Sequence, residues 1–287
     1  MDTRGIRKFS QDSRYFLKYY AWSAVLFSII DIYLFMLWDT NPLHVAFSPI
    51  YLLLIPLGLY LGGLSAVFIH NAAHGSFRPR WLNRVAGELA GTHQLYGFVG
   101  WRTAHIIHHH YPDNPERDPH PPLNLSFWEF SNGMRTQLAK VLTDSYFDIW
   151  GNGEESQRIW KLKNLCGFFG MAVRLIFWFL LLGPSLFVLV YVPSYIFNYF
   201  FFSPFNYYTH RRDPNSSEGV FEVLNLSNGF YYGLTNLMFF GIYHHRTHHS
   251  KPYLFNPQKL VSTPNRVSND LVTGRRDLPP AIHQAVD

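Results

Sequence analysis

Residues 49–74 read PIYLLLIPLGLYLGGLSAVFIHNAAH, an apolar run that ends in two histidines. Residues 49–69 carry no charge, and a helix of about 20 mostly apolar residues crosses the hydrocarbon core of a bilayer. His70 and His74 follow at a spacing of four, which on a helix places both imidazoles on one face. The stretch predicts a membrane helix with a pair of candidate metal ligands at one end.

Two further parts of the chain are long and apolar enough to cross a membrane. Residues 21–38 form a run interrupted only by Asp31, and residues 165–202 are long enough for two helices. Gly183 and Pro184 are a turn signal near the middle of this second run. We predict an all-α integral membrane protein with four transmembrane helices in two hairpins, at about residues 21–38, 49–69, 165–183 and 185–202.

The distribution of basic residues predicts how these helices are oriented. Of the 24 Lys and Arg residues, five precede the first helix, ten lie between the second and third, and eight follow the fourth. The two remaining links carry none, and Lys and Arg are retained on the cytoplasmic side. We expect cytoplasmic termini and a cytoplasmic helical cap, in a bacterial inner membrane or the endoplasmic reticulum.

Composition excludes several other classes of protein. Charged residues make up 15% of the chain, against about a quarter of a soluble domain. Cys166 is the only cysteine, which excludes an internal disulfide framework and a cysteine-based metal site. The membrane orientation accounts for the net charge of +5, and without a nucleic-acid-binding motif we expect no nucleic acid partner. We predict one domain at residues 1–257 and a loose tail at 258–287.

Nine of the 15 histidines form four clusters, all on the predicted cytoplasmic side. Two of the clusters have the spacing i, i+3, i+4, which places three imidazoles on one helical face. Neutral imidazole binds zinc, copper, iron and nickel. Nine imidazoles exceed the ligands of one tetrahedral zinc ion, so we expect two metal ions in a histidine-rich site held by the cap. The clusters are His70 and His74; His105, His108 and His109; His210; and His245, His248 and His249.

The order and spacing of these clusters resemble the three histidine boxes of the membrane fatty-acid desaturase family. The boxes are His70-x3-His74, the triplet that begins at His105 and the triplet that begins at His245, arranged around two helical hairpins. Two further elements are similar to those of acyl-CoA Δ9 desaturases. They are Trp101-Arg-Thr-Ala-His105-Ile-Ile-His108-His109 followed by Asp118-Pro119-His120, and Asn206-x3-His210.

The resemblance implies a metal centre and the reagents that it uses. Family members hold two iron ions with histidine, use O₂ as co-substrate, and act on the acyl chain of a membrane lipid or thioester. Electrons come from an external ferredoxin, rubredoxin or cytochrome b5 and its reductase, and Asn206 would position a water at one iron. The ligands implied by the resemblance are His70, His74, His105, His108, His109, His210, His245, His248 and His249.

Several neighbouring residues are expected to support this centre. His110, His120 and His244 adjoin the boxes and are expected to contact the ligands from outside. Loop carboxylates are candidate acceptors for the second ring nitrogen of each ligand, and aromatic residues near the boxes could line a substrate tunnel. The carboxylates are Asp113, Asp118 and Asp213, and the tunnel candidates are Phe77, Trp101 and Tyr243.

The resemblance implies O₂-dependent desaturation of a fatty acyl chain carried by CoA, by acyl carrier protein or by a lipid. An oxygenase on the same scaffold stays open, because the carbon radical left by the first hydrogen abstraction can either lose a neighbouring hydrogen or gain oxygen. Such an oxygenase would be a fatty-acid or alkane hydroxylase, a carotenoid ketolase or hydroxylase, or an oxidative decarboxylase. A non-catalytic metal-binding or transport protein is a remote alternative. Transporters place ligands near the bilayer midplane, whereas these histidines are predicted at helix ends and in loops.

Overall fold

A computed structural model describes residues 4–122, 125–212 and 221–261. These residues form helices and one antiparallel pair of short strands, so the prediction of a helical fold is confirmed. Most of the predicted tail and Asp213 lie outside the described residues. The elements are α1 (Arg4–Gln11), α2 (Tyr15–Met36), α3 (Ile55–His74), α4 (Leu82–His93), α5 (Phe98–His110), α6 (Phe127–Trp150), α7 (Glu154–Leu186), α8 (Val192–Thr209), β1 (His210–Arg212), β2 (Phe221–Val223), α9 (Phe230–Met238), α10 (His245–Ser250) and α11 (Gln258–Val261).

Three stretches of the described chain are long and apolar enough to cross a membrane: Tyr15–Met36, Pro49–His74 and Glu154–Thr209. The third has 56 residues, which at 1.5 Å per residue would extend about 80 Å if straight. Gly183 interrupts it with φ 67° and ψ 169°, at the turn predicted from the sequence. The protein is therefore a membrane protein with three candidate spanning stretches, and the count of four crossings stays a prediction.

The helices extend further than the apolar runs that predicted them. α2 begins at Tyr15 and α7 at Glu154, both well before the runs predicted at 21 and 165. Phe16 and Tyr20 at the start of α2 are buried, and Phe16 packs 6.3 Å, ring to ring, from Trp160 of α7. Packing of this aromatic cluster stabilises the parts of α2 and α7 that extend beyond the apolar runs, where hydropathy does not predict a helix.

The long apolar helices pair as α2 with α7 and α3 with α8. Gly58 and Gly62 allow α3 to approach α8 and the π-helical turn before it (Phe187–Tyr191) closely, since a Cβ at these positions would lie 2.5 Å from the Val190 carbonyl oxygen and 2.2 Å from that of Ser194. Small residues four apart are a common means of helix association in lipid. The Asn198 amide then donates a 2.9 Å hydrogen bond to the Gly62 carbonyl oxygen. This close packing sets the separation of the two helices that lead to His74 and His210.

The link between α2 and α3 meets the turn at Gly183. Asn41 Nδ2 donates to the carbonyl oxygens of Leu180 and Leu181, at 3.3 and 3.0 Å. His44 occupies the space beside Gly183, where a Cβ would lie 2.8 Å from the His44 ring. Both connections therefore lie at the same end of the helices, opposite the end that carries the histidine clusters.

Candidate metal centre

Four elements bring the nine clustered histidines together. α3 ends in His70 and His74, and Gly75 terminates it in a left-handed conformation (φ 75°) that glycine adopts without strain. α5 carries the second box near its end and α10 carries the third. His210 lies just beyond a helix, because α8 ends at Thr209 and His210 is the first residue of β1 (φ −107°, ψ 104°). Asn206 and His210 therefore do not share a helical face, although the Asn206 carbonyl oxygen accepts the His210 N–H.

Five of these histidines form one group of converging nitrogens. His74 Nε2 lies 2.7 Å from His105 Nε2, and His109 Nε2 lies 3.1 Å from His248 Nε2. The fifth imidazole, His70, lies with its ring centroid 4.3 Å from that of His248. One nitrogen from each ring lies within 4.8 Å of the others. We call this set the five-histidine group: His70, His74, His105, His109 and His248.

The other four histidines form a second group beside the first. His245 Nε2 lies 3.0 Å from both His210 Nε2 and His249 Nε2. The His249 ring in turn lies 4.3 Å, centroid to centroid, from His109 of the five-histidine group. The members of this second group also offer nitrogens within 4.8 Å of one another. We call this set the four-histidine group: His108, His210, His245 and His249.

The two triplets divide their side chains between the two groups. In α5, His105 and His109 belong to the five-histidine group and His108 to the other. In α10 the division is reversed, with His245 and His249 in the four-histidine group and only His248 in the first. A pair at i, i+4 thus serves one group while the residue between them, rotated around the helix, serves its neighbour. This arrangement explains why a site for two ions uses the spacing i, i+3, i+4.

Two buried carboxylates hold members of the four-histidine group. His108 Nδ1 donates to Asp118, with its oxygens at 2.9 and 3.0 Å. His210 Nδ1 donates to Asp113, with both oxygens at 3.0 Å. A ring that donates from Nδ1 keeps its lone pair on Nε2, which in both residues faces the group. The backbone N–H groups of Asp113 and His120 donate to Asp118 at 2.6 and 2.9 Å and fix its orientation.

Burial favours the neutral form of several imidazoles of the site. It lowers the pKa of His105, His245 and His248 well below the usual 6.5, and the neighbouring imidazoles lower it further. Burial also lowers the pKa of His120 to about 3. A neutral imidazole has the free lone pair that a metal ligand needs.

The donor set fits two metal ions. Within the described residues, both ring nitrogens of His70 and Nε2 of His108 are buried without a hydrogen-bond partner. Buried polar atoms rarely stay unpaired, and each unpaired one needs an explanation. Nε2 lone pairs that face other ring nitrogens at about 3 Å would be satisfied by a cation between them. Nitrogen donors of this kind suit iron, zinc, copper or nickel rather than magnesium or calcium.

A mostly aromatic cavity reaches this centre from the side of α8. Its walls include His70 and His105 of the five-histidine group, and Asn206, which is 4% exposed. The empty space is about 630 Å³ including its open mouth, where Arg135 of α6 lies with its guanidinium 3.7 Å from the Tyr199 ring centroid. The cavity therefore places an aromatic surface beside ring nitrogens of the five-histidine group. The aromatic residues that line it are Tyr96, Trp101, Tyr199, Phe202 and Phe205.

Of the three predicted tunnel residues, one lines this cavity. Trp101 lines the cavity, whereas Phe77 packs against Phe68 and Phe255. Tyr243 is buried on another side of the site, where its hydroxyl lies 3.0 Å from that of Tyr231. Proximity to a histidine box in sequence does not specify which side of the box a ring occupies.

Phe202 and Arg135 line the cavity but are not among the residues predicted from the sequence. Phe202 stands one helical turn before Asn206 on α8, so helical periodicity could have identified it. Arg135 carried no such signal, because it lies on α6 with no motif nearby and reaches the cavity only through the packing of α6 beside α8.

The histidines expected to support the ligands differ in position. His120 forms a third set with His108 and Asp118, and its ring lies 4.2 Å from that of His108. His110 at the end of α5 and His244 before α10 fall outside the two histidine groups, although His244 is buried. His120 therefore lies against a member of the four-histidine group, and the supporting roles of His110 and His244 stay predictions.

Comparison with known proteins agrees with the geometry of this site. The model of the fatty acid desaturase family matches residues 46–255, which include all nine clustered histidines and both carboxylates. Neither the curated proteins nor the solved structures give a match. The match covers well over half of the chain, and with it the helices and loops that build the two histidine groups; the chain belongs to the fatty acid desaturase family.

Proposed function

We propose that the protein is an O₂-dependent di-iron desaturase that introduces a carbon–carbon double bond into a fatty acyl chain. The observation that carries this proposal is the cavity whose walls include both aromatic rings and His70 and His105. An apolar chain in this cavity would lie beside the histidine nitrogens, where an oxidant would form.

The histidines, carboxylates and aromatic residues have separate tasks in this proposal. The two histidine groups would hold two iron ions, which when bound supply the activation of O₂ and the oxidation of a C–H bond. Asp118 and Asp113 orient His108 and His210 so that Nε2 faces the centre. Trp101 and Phe205 exclude water from the cavity and hold a methylene chain by apolar contact. Asn206 would position a water or the chain at the cavity wall.

The reaction requires electrons from another protein. Removal of two hydrogens from –CH₂–CH₂– with one O₂, two further electrons and two protons yields –CH=CH– and two waters. Cys166 is the only cysteine of the chain, so the chain cannot supply a cysteine-ligated iron–sulfur cluster of its own. An external ferredoxin, rubredoxin or cytochrome b5, with its reductase, is the proposed donor.

We also propose four membrane crossings with both termini and the metal centre in the cytoplasm. The turn at Gly183 and its contact with the link between α2 and α3 support two hairpins. In a chain with Cys166→Ser, a cysteine at the exposed Phe47 should react with an impermeant maleimide from outside the cell. A matched cysteine at Asn152 should react only after the membrane is permeabilised. Reaction of both from the same side would contradict this topology.

The decisive experiment is analysis of the lipids of a host that expresses the protein. Gas chromatography with mass spectrometry should find acyl chains two hydrogens lighter than in a host that expresses His108→Ala. New hydroxyl or keto products would instead assign the protein to the oxygenases. Unchanged lipids despite an iron-loaded protein and a working electron donor would contradict both readings.

A further inference from the structure

Residues 223–245 contain no Asp, Glu, Lys or Arg, although they lie outside the apolar runs that predict spanning helices. This uncharged segment contains α9 and the turn after it, and it leads directly into the third histidine box. α9 turns large apolar side chains outward. Its exposed residues are Phe230 (84%), Tyr231 (55%), Leu234 (41%), Leu237 (77%) and Met238 (38%).

The turn after α9 packs at the depth of the spanning helices. The Phe239 ring lies 5.7 Å from Tyr60 of α3 and 5.0 Å from Phe201 of α8, centroid to centroid. Gly63 makes room for it, since a Cβ there would lie 2.3 Å from the Phe239 ring. Tyr60 precedes His70 by ten residues, which along a helix is about 15 Å. Phe239 therefore lies about 15 Å from the metal centre along the axis of α3, beside the apolar part of that helix.

The start and the end of this segment lie side by side, next to the third histidine box. Near its start, the Leu226 N–H donates to the Tyr243 carbonyl oxygen, and Asn225 forms a β-bridge with His244. α9 has nine residues and a rise of about 13 Å, and Phe239 follows it directly. The chain then returns through Tyr243 to His245, so the segment descends and ascends on one side of the membrane.

Several polar groups of this turn are satisfied from within the protein. Asn236, the buried residue of α9, donates from Nδ2 to the Leu226 carbonyl oxygen and accepts the Tyr243 N–H on Oδ1, both at 2.9 Å. Its own carbonyl oxygen accepts the Gly241 N–H at 2.7 Å. Non-helical backbone is tolerated at membrane depth only when it is satisfied in this way and covered by protein. Phe239 is accordingly 5% and Ile242 6% exposed.

We propose that α9 and the turn at residues 239–242 form a re-entrant segment whose outer face contacts the acyl chains of the cytoplasmic leaflet. Two independent observations carry this assignment: the charge-free sequence with its outward apolar side chains, and the packing of Phe239 against the spanning helices. Tyr231 at the start of α9 occupies the position of an interfacial aromatic residue. The lipid contact anchors the turn from which His245 emerges.

The test uses a fluorescent bimane label on single cysteines in lipid nanodiscs. With Cys166→Ser as background, Leu237→Cys is compared with Leu53→Cys, 71% exposed in the apolar stretch Pro49–His74, and with Asn152→Cys, exposed beside acidic residues. Phosphatidylcholine with doxyl groups on its acyl chains quenches from the lipid, and iodide quenches from water. The label at 237 should be quenched by doxyl lipid as strongly as that at 53, with iodide quenching several-fold weaker than at 152.

Two outcomes would overturn the assignment. Iodide quenching at 237 equal to that at 152 would place α9 in water. Protection from both quenchers would mean that a second copy or another protein covers this face. Leu234→Cys repeats the measurement one helical turn earlier, so that a folding defect of one variant does not decide the result. Because the readout needs no turnover, it is independent of the proposed reaction.

Discussion

His108 Nδ1 lies 2.9 and 3.0 Å from the two carboxylate oxygens of Asp118, and the His108 side chain is 1% and the Asp118 side chain 0% exposed. This pair is buried, and the opposite ring nitrogen of His108 has no hydrogen-bond partner in the described chain. The carboxylate therefore fixes the tautomer in which Nε2 is a free donor of electrons to a metal. His108 and Asp118 are ten residues apart, and the loop between them brings Asp118 back against α5.

Asp118→Asn tests this relationship. The amide keeps the shape of the carboxylate but loses its charge, so we expect metal affinity or turnover to fall about 10–100-fold. Iron content after dialysis against a chelator, measured by mass spectrometry, gives the answer. The matched variant Asp144→Asn removes an exposed carboxylate paired only with Lys140 and should leave iron content unchanged. Equal iron retention in both variants would remove Asp118 from the site.

His245→Ala tests the division into two groups. His245 approaches two other members of the four-histidine group at 3.0 Å, so its loss leaves three ligands there and all five in the other group. We expect iron content to fall from about two ions per chain to about one, with turnover abolished. His244→Asn changes the adjacent residue, which lies outside both groups, and should keep about two. Complete loss of both ions from His245→Ala would show that the two groups are not independent.

Leu138→Trp tests whether the cavity admits the substrate. Leu138 lines the cavity, and an indole at this position would occupy the space that an acyl chain needs. We expect turnover to fall by at least about tenfold, equivalent to about 1.4 kcal/mol in the barrier, while iron content stays unchanged. Leu138→Met conserves volume and should retain activity. Wild-type rates from a folded, iron-loaded Leu138→Trp protein would place the substrate path elsewhere.

The iron-free protein should lose stability as the pH falls below 6.5. Burial lowers the pKa of His105, His245 and His248 from 6.5 in the native state. Between that value and the lowered ones, the unfolded chain binds protons that the folded chain does not, so acidification favours unfolding. Thermal unfolding in detergent should give a constant midpoint from pH 8 to 7.5 and a falling one from pH 6.5 to 5. A midpoint that rises over that range would contradict neutral burial of these rings.

The sequence by itself determined the features that depend on local chemistry. Apolar runs of about the length that crosses a bilayer marked the candidate spanning stretches, and Gly183 marked the break in the longest one. Helical periodicity placed two or three imidazoles on one face in α3, α5 and α10, because residues three and four apart are neighbours on any helix. These inferences need no knowledge of what lies across the fold.

Only the tertiary structure decided how those parts combine. The division of each triplet between two groups follows from the rotation of α5 and α10 against their neighbours. Asp113 meets His210 across 97 residues of sequence, and Phe239 lies against Tyr60 in a chain that runs down into the spanning helices. Contacts of this kind depend on which faces of distant elements pack together, and local periodicity carries no information about that. The candidate ligands were therefore readable from the sequence, whereas their carboxylate partners, the cavity beside them and the packing of Phe239 were not.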